Sequence, residues 1–105
     1  MDQNFTFFAD LAAEVAVAPD GILRRTIHND ERVRVVLFAF SQGQELSAHT
    51  APVAALLYFV KGEASLKLGE EAMDAKAGSF VHMTPKLTHS IVAKSPLIML
   101  LMMLK

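Results

Sequence analysis

Short runs of β-branched and aromatic residues, separated by turn-forming residues, are the feature of this sequence that most limits its fold. The first break, Pro19-Asp20-Gly21, combines a fixed proline dihedral with a glycine that accepts positive φ. Strands that recur about every 8–12 residues are typical of a sandwich, barrel or jelly roll. No helical segments alternate with them, so a parallel βαβ sheet is not expected. The predicted strands are Ile22–Ile27, Val33–Phe40, Val53–Val60, Ser65–Leu68, Phe80–Met83, Ser90–Ala93 and Leu97–Leu104.

The 105 residues predict one all-β domain that spans residues 1–105. Its hydrophobic fraction of 52% is ample for a folded core. Residues 1–20 form a distinct N-terminal arm, in which Phe5, Phe8, Leu11 and Val15 recur every three or four residues. This spacing indicates one amphipathic turn or short helix, and a strand across Glu14 to Ala18 is the alternative.

The charge balance argues against a nucleic-acid partner. Lys and Arg number 10 against 11 acidic residues, the net charge is −1, and no basic stripe is visible. The absence of cysteine excludes disulfides and thiolate chemistry and is compatible with a reducing cytoplasm. The N-terminus carries no positive charge before its first apolar residues, unlike a secretory signal.

The longest apolar run, Leu97 to Leu104, has eight residues, whereas a membrane-spanning helix needs about 20. We therefore expect a cytoplasmic protein that does not enter the membrane. The run is apolar on both faces, as is Val33–Phe40 after Arg34. A strand covered on both sides lies inside a sandwich or under a second subunit, and a homodimer is the resulting prediction.

Two stretches carry the only motif in the chain. In the first, Gly43, His49 and Gly62 fall at the spacing of the first cupin motif, which reads Gly, five residues, His-x-His, three or four residues, Glu, six residues and Gly. In the second, Gly78 and His89 flank a proline turn, as in the second cupin motif, with the proline displaced by one position. The resemblance covers residues 33–104 and implies an RmlC-like cupin jelly-roll β-barrel.

The chain departs from the cupin pattern at four positions. Ala51 stands in place of the second histidine of His-x-His, Ala55 in place of the glutamate, Lys86 in place of the turn glycine and Ala93 in place of the last asparagine. Three histidines and a glutamate bind a transition metal in cupins that hold one, so only two of the four implied ligands remain here. The cofactor is thus unassigned, with a divalent metal possible if His28, His82 or a side chain of a second subunit completes the set.

The resemblance brings His49 and His89 from separate strands into one barrel cavity. Residues at i and i+2 of a strand share a face, so small and apolar side chains are expected to line the cavity beside the two imidazoles. The same alternation turns His82 and Tyr58 away from it. The predicted ligand-binding residues are His49, His89, Ala51, Ala55, Leu57, Phe59 and Met83.

Three functions are consistent with this cavity. The first is binding of a small molecule that the two histidines orient. The alternative is an enzyme, either a metal-dependent dioxygenase or isomerase with a reduced ligand set, or a metal-free catalyst that uses a histidine as acid and base. The third is a structural module in which the histidines have no function. A fold alone does not decide among them.

Overall fold

Two antiparallel sheets face each other in the computed structural model, which describes residues 4–105. The five-stranded sheet has the order β1-β2-β9-β4-β7, and the four-stranded sheet has the order β3-β8-β5-β6. No helix within this range is long and apolar enough to cross a membrane. The strands are β1 (Ile22–Asn29), β2 (Val33–Phe40), β3 (Glu45–His49), β4 (Ala55–Lys61), β5 (Glu63–Leu68), β6 (Glu71–Lys76), β7 (Phe80–Met83), β8 (His89–Ala93) and β9 (Leu97–Leu104).

The architecture confirms the predicted all-β jelly roll. Three predicted strands, β2, β7 and β9, have the predicted bounds, and four others differ by one or two residues at their ends. Strands β3 and β6 were missed. Each has a single residue that is at least partly buried, Leu46 in β3 and Ala75 in β6, so neither shows an apolar run.

The N-terminal arm covers the outer face of the five-stranded sheet. It contains one turn of 3₁₀ helix, Leu11–Ala13, in which the Asp10 carboxylate accepts a hydrogen bond from the Ala12 N–H at 3.1 Å. A turn was predicted at this position, and the alternative strand across Glu14–Ala18 is absent. Ala12, Val15 and Val17 pack against an outer apolar cluster made of Leu37, Ala39 and Ile98. The arm therefore explains why β2 and β9 are apolar on both faces.

The outer face beyond the arm still exposes apolar side chains. Tyr58 is 40% exposed, and it pairs across the sheet with Phe80, which is 62% exposed, and with Leu100.

The homodimer stays a prediction. We expect light scattering over a concentration series to give twice the mass of one chain and Phe80→Asp to shift the mass towards one chain, because a charge there opposes burial. A constant monomer mass would contradict the dimer.

The inner faces of both sheets form one apolar core. Phe40 and Phe59, both 0% exposed, lie at its centre. Because alternate residues of each strand point inward, this layer takes every second residue of β2, β4, β8 and β9. The core cluster consists of Val36, Phe38, Phe40, Ala55, Leu57, Phe59, Ala64, Leu66, Ala75, Met83, Ile91, Ala93, Leu97 and Met99.

The last glycine of the first motif is required by a close backbone approach. Gly62 has φ +91, and a Cβ at this position would lie 2.1 Å from the carbonyl oxygen of Pro96. Gly43 has a similar φ of +87, but a Cβ there would meet no atom within 4 Å.

The two glycines make a matched pair for a stability test. Ala at either position adopts an unfavourable positive φ, and Gly62→Ala adds a clash with backbone that cannot move freely. We expect urea unfolding to show a loss of about 1 kcal/mol for Gly43→Ala and at least about 3 kcal/mol for Gly62→Ala. Equal losses would show that the approach of Pro96 does not constrain the fold.

Candidate functional site

His49 and His89 are direct neighbours across two strands. They form a register pair between β3 and β8, and their ring centroids lie 4.2 Å apart with the planes inclined at 56°. His89 is buried at 7% exposure, whereas His49 is exposed. The structure thus brings the two predicted imidazoles together where β3 ends and β8 begins, with the His89 ring more deeply buried than that of His49.

Each imidazole is held by a hydrogen bond of the same kind, from its Nδ1 to a backbone carbonyl. His49 Nδ1 lies 2.8 Å from the carbonyl oxygen of Ser47, and His89 Nδ1 lies 2.9 Å from that of Leu87. A carbonyl oxygen only accepts, so each Nδ1 carries the hydrogen and donates. In the neutral rings Nε2 is then the atom with a lone pair, free to accept a hydrogen bond or to bind a metal.

This geometry predicts the tautomers of the two rings. In the neutral rings we expect the ¹⁵N shifts of His49 and His89 to show a protonated Nδ1 and a bare Nε2. Exposed His82, which makes no such hydrogen bond to any residue between 4 and 105, serves as the reference ring. A protonated Nε2 on either of the paired rings would contradict the assignment.

Four of the predicted cavity residues lie in the packed core. Ala55, Leu57, Phe59 and Met83 are between 0% and 3% exposed and belong to the inner apolar cluster. Their predicted contact with a ligand stays a prediction. Ala51 is partly buried in the segment between β3 and β4.

The proline turn of the second motif holds Ala51 in place. Its Leu87 N–H donates to the carbonyl of Thr84 at 3.3 Å, and its Lys86 N–H donates to the carbonyl of Ala51 at 2.7 Å. Lys86, which stands where the cupin pattern has glycine, has φ +70 and is the one non-glycine residue with positive φ in residues 4–105. The turn therefore keeps the backbone shape of the motif at a cost in strain.

The side chains at this end do not fit a tight metal site. A catalytic metal normally has three protein ligands, and no group of three or more His, Cys, Asp or Glu residues within 4–105 could hold one. His82 faces the outer side of β7, where it pairs with Leu56 of β4. The Nε2 atoms of His49 and His89 are suitable donors, but two donors leave such a metal with an incomplete protein ligand set.

His28 is engaged elsewhere, near the end of β1, where it bonds to the turn that leads to β2. Its Nε2 lies 2.6 Å from Asp30 Oδ2, and its Nδ1 lies 3.1 Å from the Thr6 hydroxyl. The bond from His28, together with bonds from the N–H groups of Arg32 and Val33, holds the pKa of Asp30 well below its usual value. His28 thus stabilises a turn rather than extending the histidine pair.

A cleft of about 190 Å³ opens beside His49, and we call it the mouth cleft. Its walls are apolar side chains, chiefly Phe38 and Leu46, and Arg24 and Arg34 also line it. The two arginines were not among the predicted site residues, because charged residues on strands usually face water. Their positions along the strands could have identified them, because residues two apart on a strand share a face. Arg24 is two residues after inward-facing Ile22, and Arg34 is two residues before inward-facing Val36.

A second cleft, of about 350 Å³, lies at the end of the four-stranded sheet. It contacts His89 but not His49, and Lys67, Glu70 and Lys86 contribute its charges. Each of the two clefts reaches one ring of the pair. Because this one has charges of both signs and Leu87 as its one large apolar lining residue, it is a weaker candidate for an organic ligand than the mouth cleft.

The fold and the motif together define the class: a small double-stranded β-helix barrel with a histidine pair between β3 and β8. The chain belongs to the cupin domain family, whose model matches residues 36–103. No curated protein sequence is significantly similar to the chain.

Solved structures agree with this assignment. A conserved protein of unknown function from Streptococcus pyogenes superposes with a TM-score of 0.85 and 25% identity, covering 100% of this chain and 90% of that one. A cupin superfamily protein from Desulfitobacterium hafniense gives a TM-score of 0.86 at 21% identity, with 99% and 94% covered. An RmlC-like cupin from Shewanella frigidimarina gives 0.80 at 18% identity, with 98% and 91% covered. At these identities the two cupins support the fold alone.

Proposed function

We propose that this cupin-fold protein binds a small organic molecule in the mouth cleft, oriented by His49 with His89 behind it. The observation that carries the proposal is the orientation of the paired rings. Backbone carbonyls occupy both Nδ1 atoms, so the Nε2 atom of His49 remains available beside the largely apolar mouth cleft that His49 lines. Such a combination of apolar walls and a few fixed polar atoms is typical of small-molecule sites.

The two rings contribute differently to binding. His49 is exposed and lines the mouth cleft, so its Nε2 can accept a hydrogen bond from a ligand hydroxyl or amide. His89 is buried and packs against the His49 ring at 4.2 Å, which limits the orientations of that ring. A ligand therefore meets an acceptor whose position is set before binding, which reduces the entropic cost of association.

A metal-dependent enzyme is the alternative. The bond from Nδ1 to a carbonyl is the arrangement usual for histidines that bind metals. The number of donors opposes this function, because the third protein ligand would have to come from a second subunit.

Thermal-shift screening of hydrophobic acids, phenols and sugars tests the binding proposal. A ligand at about ten times its Kd raises the stability of the folded chain by about 1.4 kcal/mol, which corresponds to roughly 6 °C in a domain of this size. We expect His49→Ala to abolish the shift and His89→Ala to reduce it. His82→Ala, which removes an exposed imidazole from the outer face, is the matched control and should leave the shift unchanged.

Two outcomes would contradict the proposal. The first is that the ligands raise the melting temperature of all three histidine variants as much as that of the unmodified chain. The second is near-stoichiometric metal in protein purified without an affinity tag, lost in His49→Ala and in His89→Ala. That result would favour the metal-dependent alternative.

A further inference from the structure

Arg24 and Arg34 reach the mouth cleft from two different strands. Arg24 lies on β1 opposite Phe38, and Arg34 lies four residues before Phe38 on β2, an offset of about 13 Å along the strand. Both side chains nevertheless line the same cleft, with His49 facing them from the other sheet. A bound molecule would thus meet positive charge from two directions.

Neither arginine forms an ion pair within residues 4–105. The ion pairs in this part of the chain join Arg25 to Glu14, His28 to Asp30 and Lys94 to Asp74. The Arg34 guanidinium makes one hydrogen bond, a long one of 3.4 Å to the Thr26 hydroxyl. Most of the N–H donors of both guanidinium groups are therefore available to a ligand.

The cleft has no acidic lining residue to balance this charge. Its remaining walls are apolar, among them Val36, Leu101 and Met103. A chain with a net charge of −1 thus places two unpaired cations over an apolar floor. Guanidinium groups bind carboxylates and phosphates through paired hydrogen bonds, and an apolar wall favours a hydrocarbon body.

The size of the cleft limits the ligand. Its volume of about 190 Å³, and that of an adjoining cleft of about 150 Å³ that shares Arg24, Phe38 and Leu46, are below the range of roughly 300–1,000 Å³ typical of drug-sized ligands. A molecule with one ring or a short chain matches this space.

We infer that the ligand is a small amphipathic organic anion, whose carboxylate or phosphate head binds Arg24 and Arg34 while its apolar body lies against Phe38 and Leu46. The ionised head only accepts hydrogen bonds, so the group that donates to His49 Nε2 is a hydroxyl or amide on the body of the ligand. This inference rests on the proposed function and names the class of molecule that the site selects. It assigns Arg24 and Arg34 as specificity-determining residues.

NMR titration of the ¹⁵N-labelled chain tests the inference with defined probes. The probes are 3-phenylpropanoate, its neutral analogue 3-phenylpropanamide, phenyl phosphate and inorganic phosphate. We expect 3-phenylpropanoate to shift the amide signals of β1, β2 and His49 and to bind at least tenfold more tightly than the amide. Binding should weaken as salt rises, because these arginines are exposed. The ratio of the carboxylate to phenyl phosphate affinities identifies the preferred head group.

Variants that remove one positive charge provide the second part of the test. Arg24→Gln and Arg34→Gln should each weaken binding of the preferred anion at least fivefold while binding of the amide changes less than twofold. Arg25→Gln is the matched control, because it removes the same charge from the next residue of β1, where the side chain pairs with Glu14. That variant should bind as the unmodified chain does.

The outcomes separate this inference from the proposed function. Equal affinity for the acid and the amide, both lost in His49→Ala, would overturn the anion preference and leave small-molecule binding intact. Inorganic phosphate that binds as tightly as phenyl phosphate would show that the apolar wall has no role and would also overturn the inference. Signal changes confined to Lys67 and Lys86 would place the anion in the other cleft. If no probe, neutral or charged, shifts signals around His49, both proposals fail.

Discussion

Contact between the inner faces of two antiparallel sheets determines where every candidate functional side chain lies. Each strand contributes alternate residues to one apolar layer, and burial of Phe40, Phe59 and Leu97 at its centre sets the register of the strands around it. A shift of one residue in β8 would turn His89 outward and bring Ser90 into the core. The histidine pair is therefore a consequence of the same alternation that builds the barrel.

The fold could be predicted from the sequence wherever burial leaves an apolar pattern. Strands β2 and β9 are apolar on both faces because the core covers one face and the N-terminal arm covers part of the other, and their bounds were predicted correctly. Strands β3 and β6 were not predicted, because they lie largely in solvent and form through pairing with β8 and β5. Backbone pairing of this kind depends on the partner strand, which a local pattern does not show.

The candidate site could be predicted from the sequence only in part. The motif spacing pointed to His49 and His89, and the structure places their rings next to each other. Ala55, Leu57 and Met83 pack into the core, and the predicted contact of these residues and of Ala51 with a ligand stays a prediction. Arg24 and Arg34 enter the site only through the tertiary arrangement of β1 and β2 over β3.

The position of β1 has a consequence for the dynamics of the mouth cleft. This strand lies at the edge of its sheet, where its hydrogen-bonded neighbour within residues 4–105 is β2. Most of its side chains are exposed, so little burial opposes its separation from β2. Amide hydrogen exchange should therefore be faster in β1, which supplies Arg24, than in the other long strands. Transient opening of this edge would let a molecule enter or leave while the rest of the barrel stays folded, so the lifetime of a complex would depend on the local stability of β1.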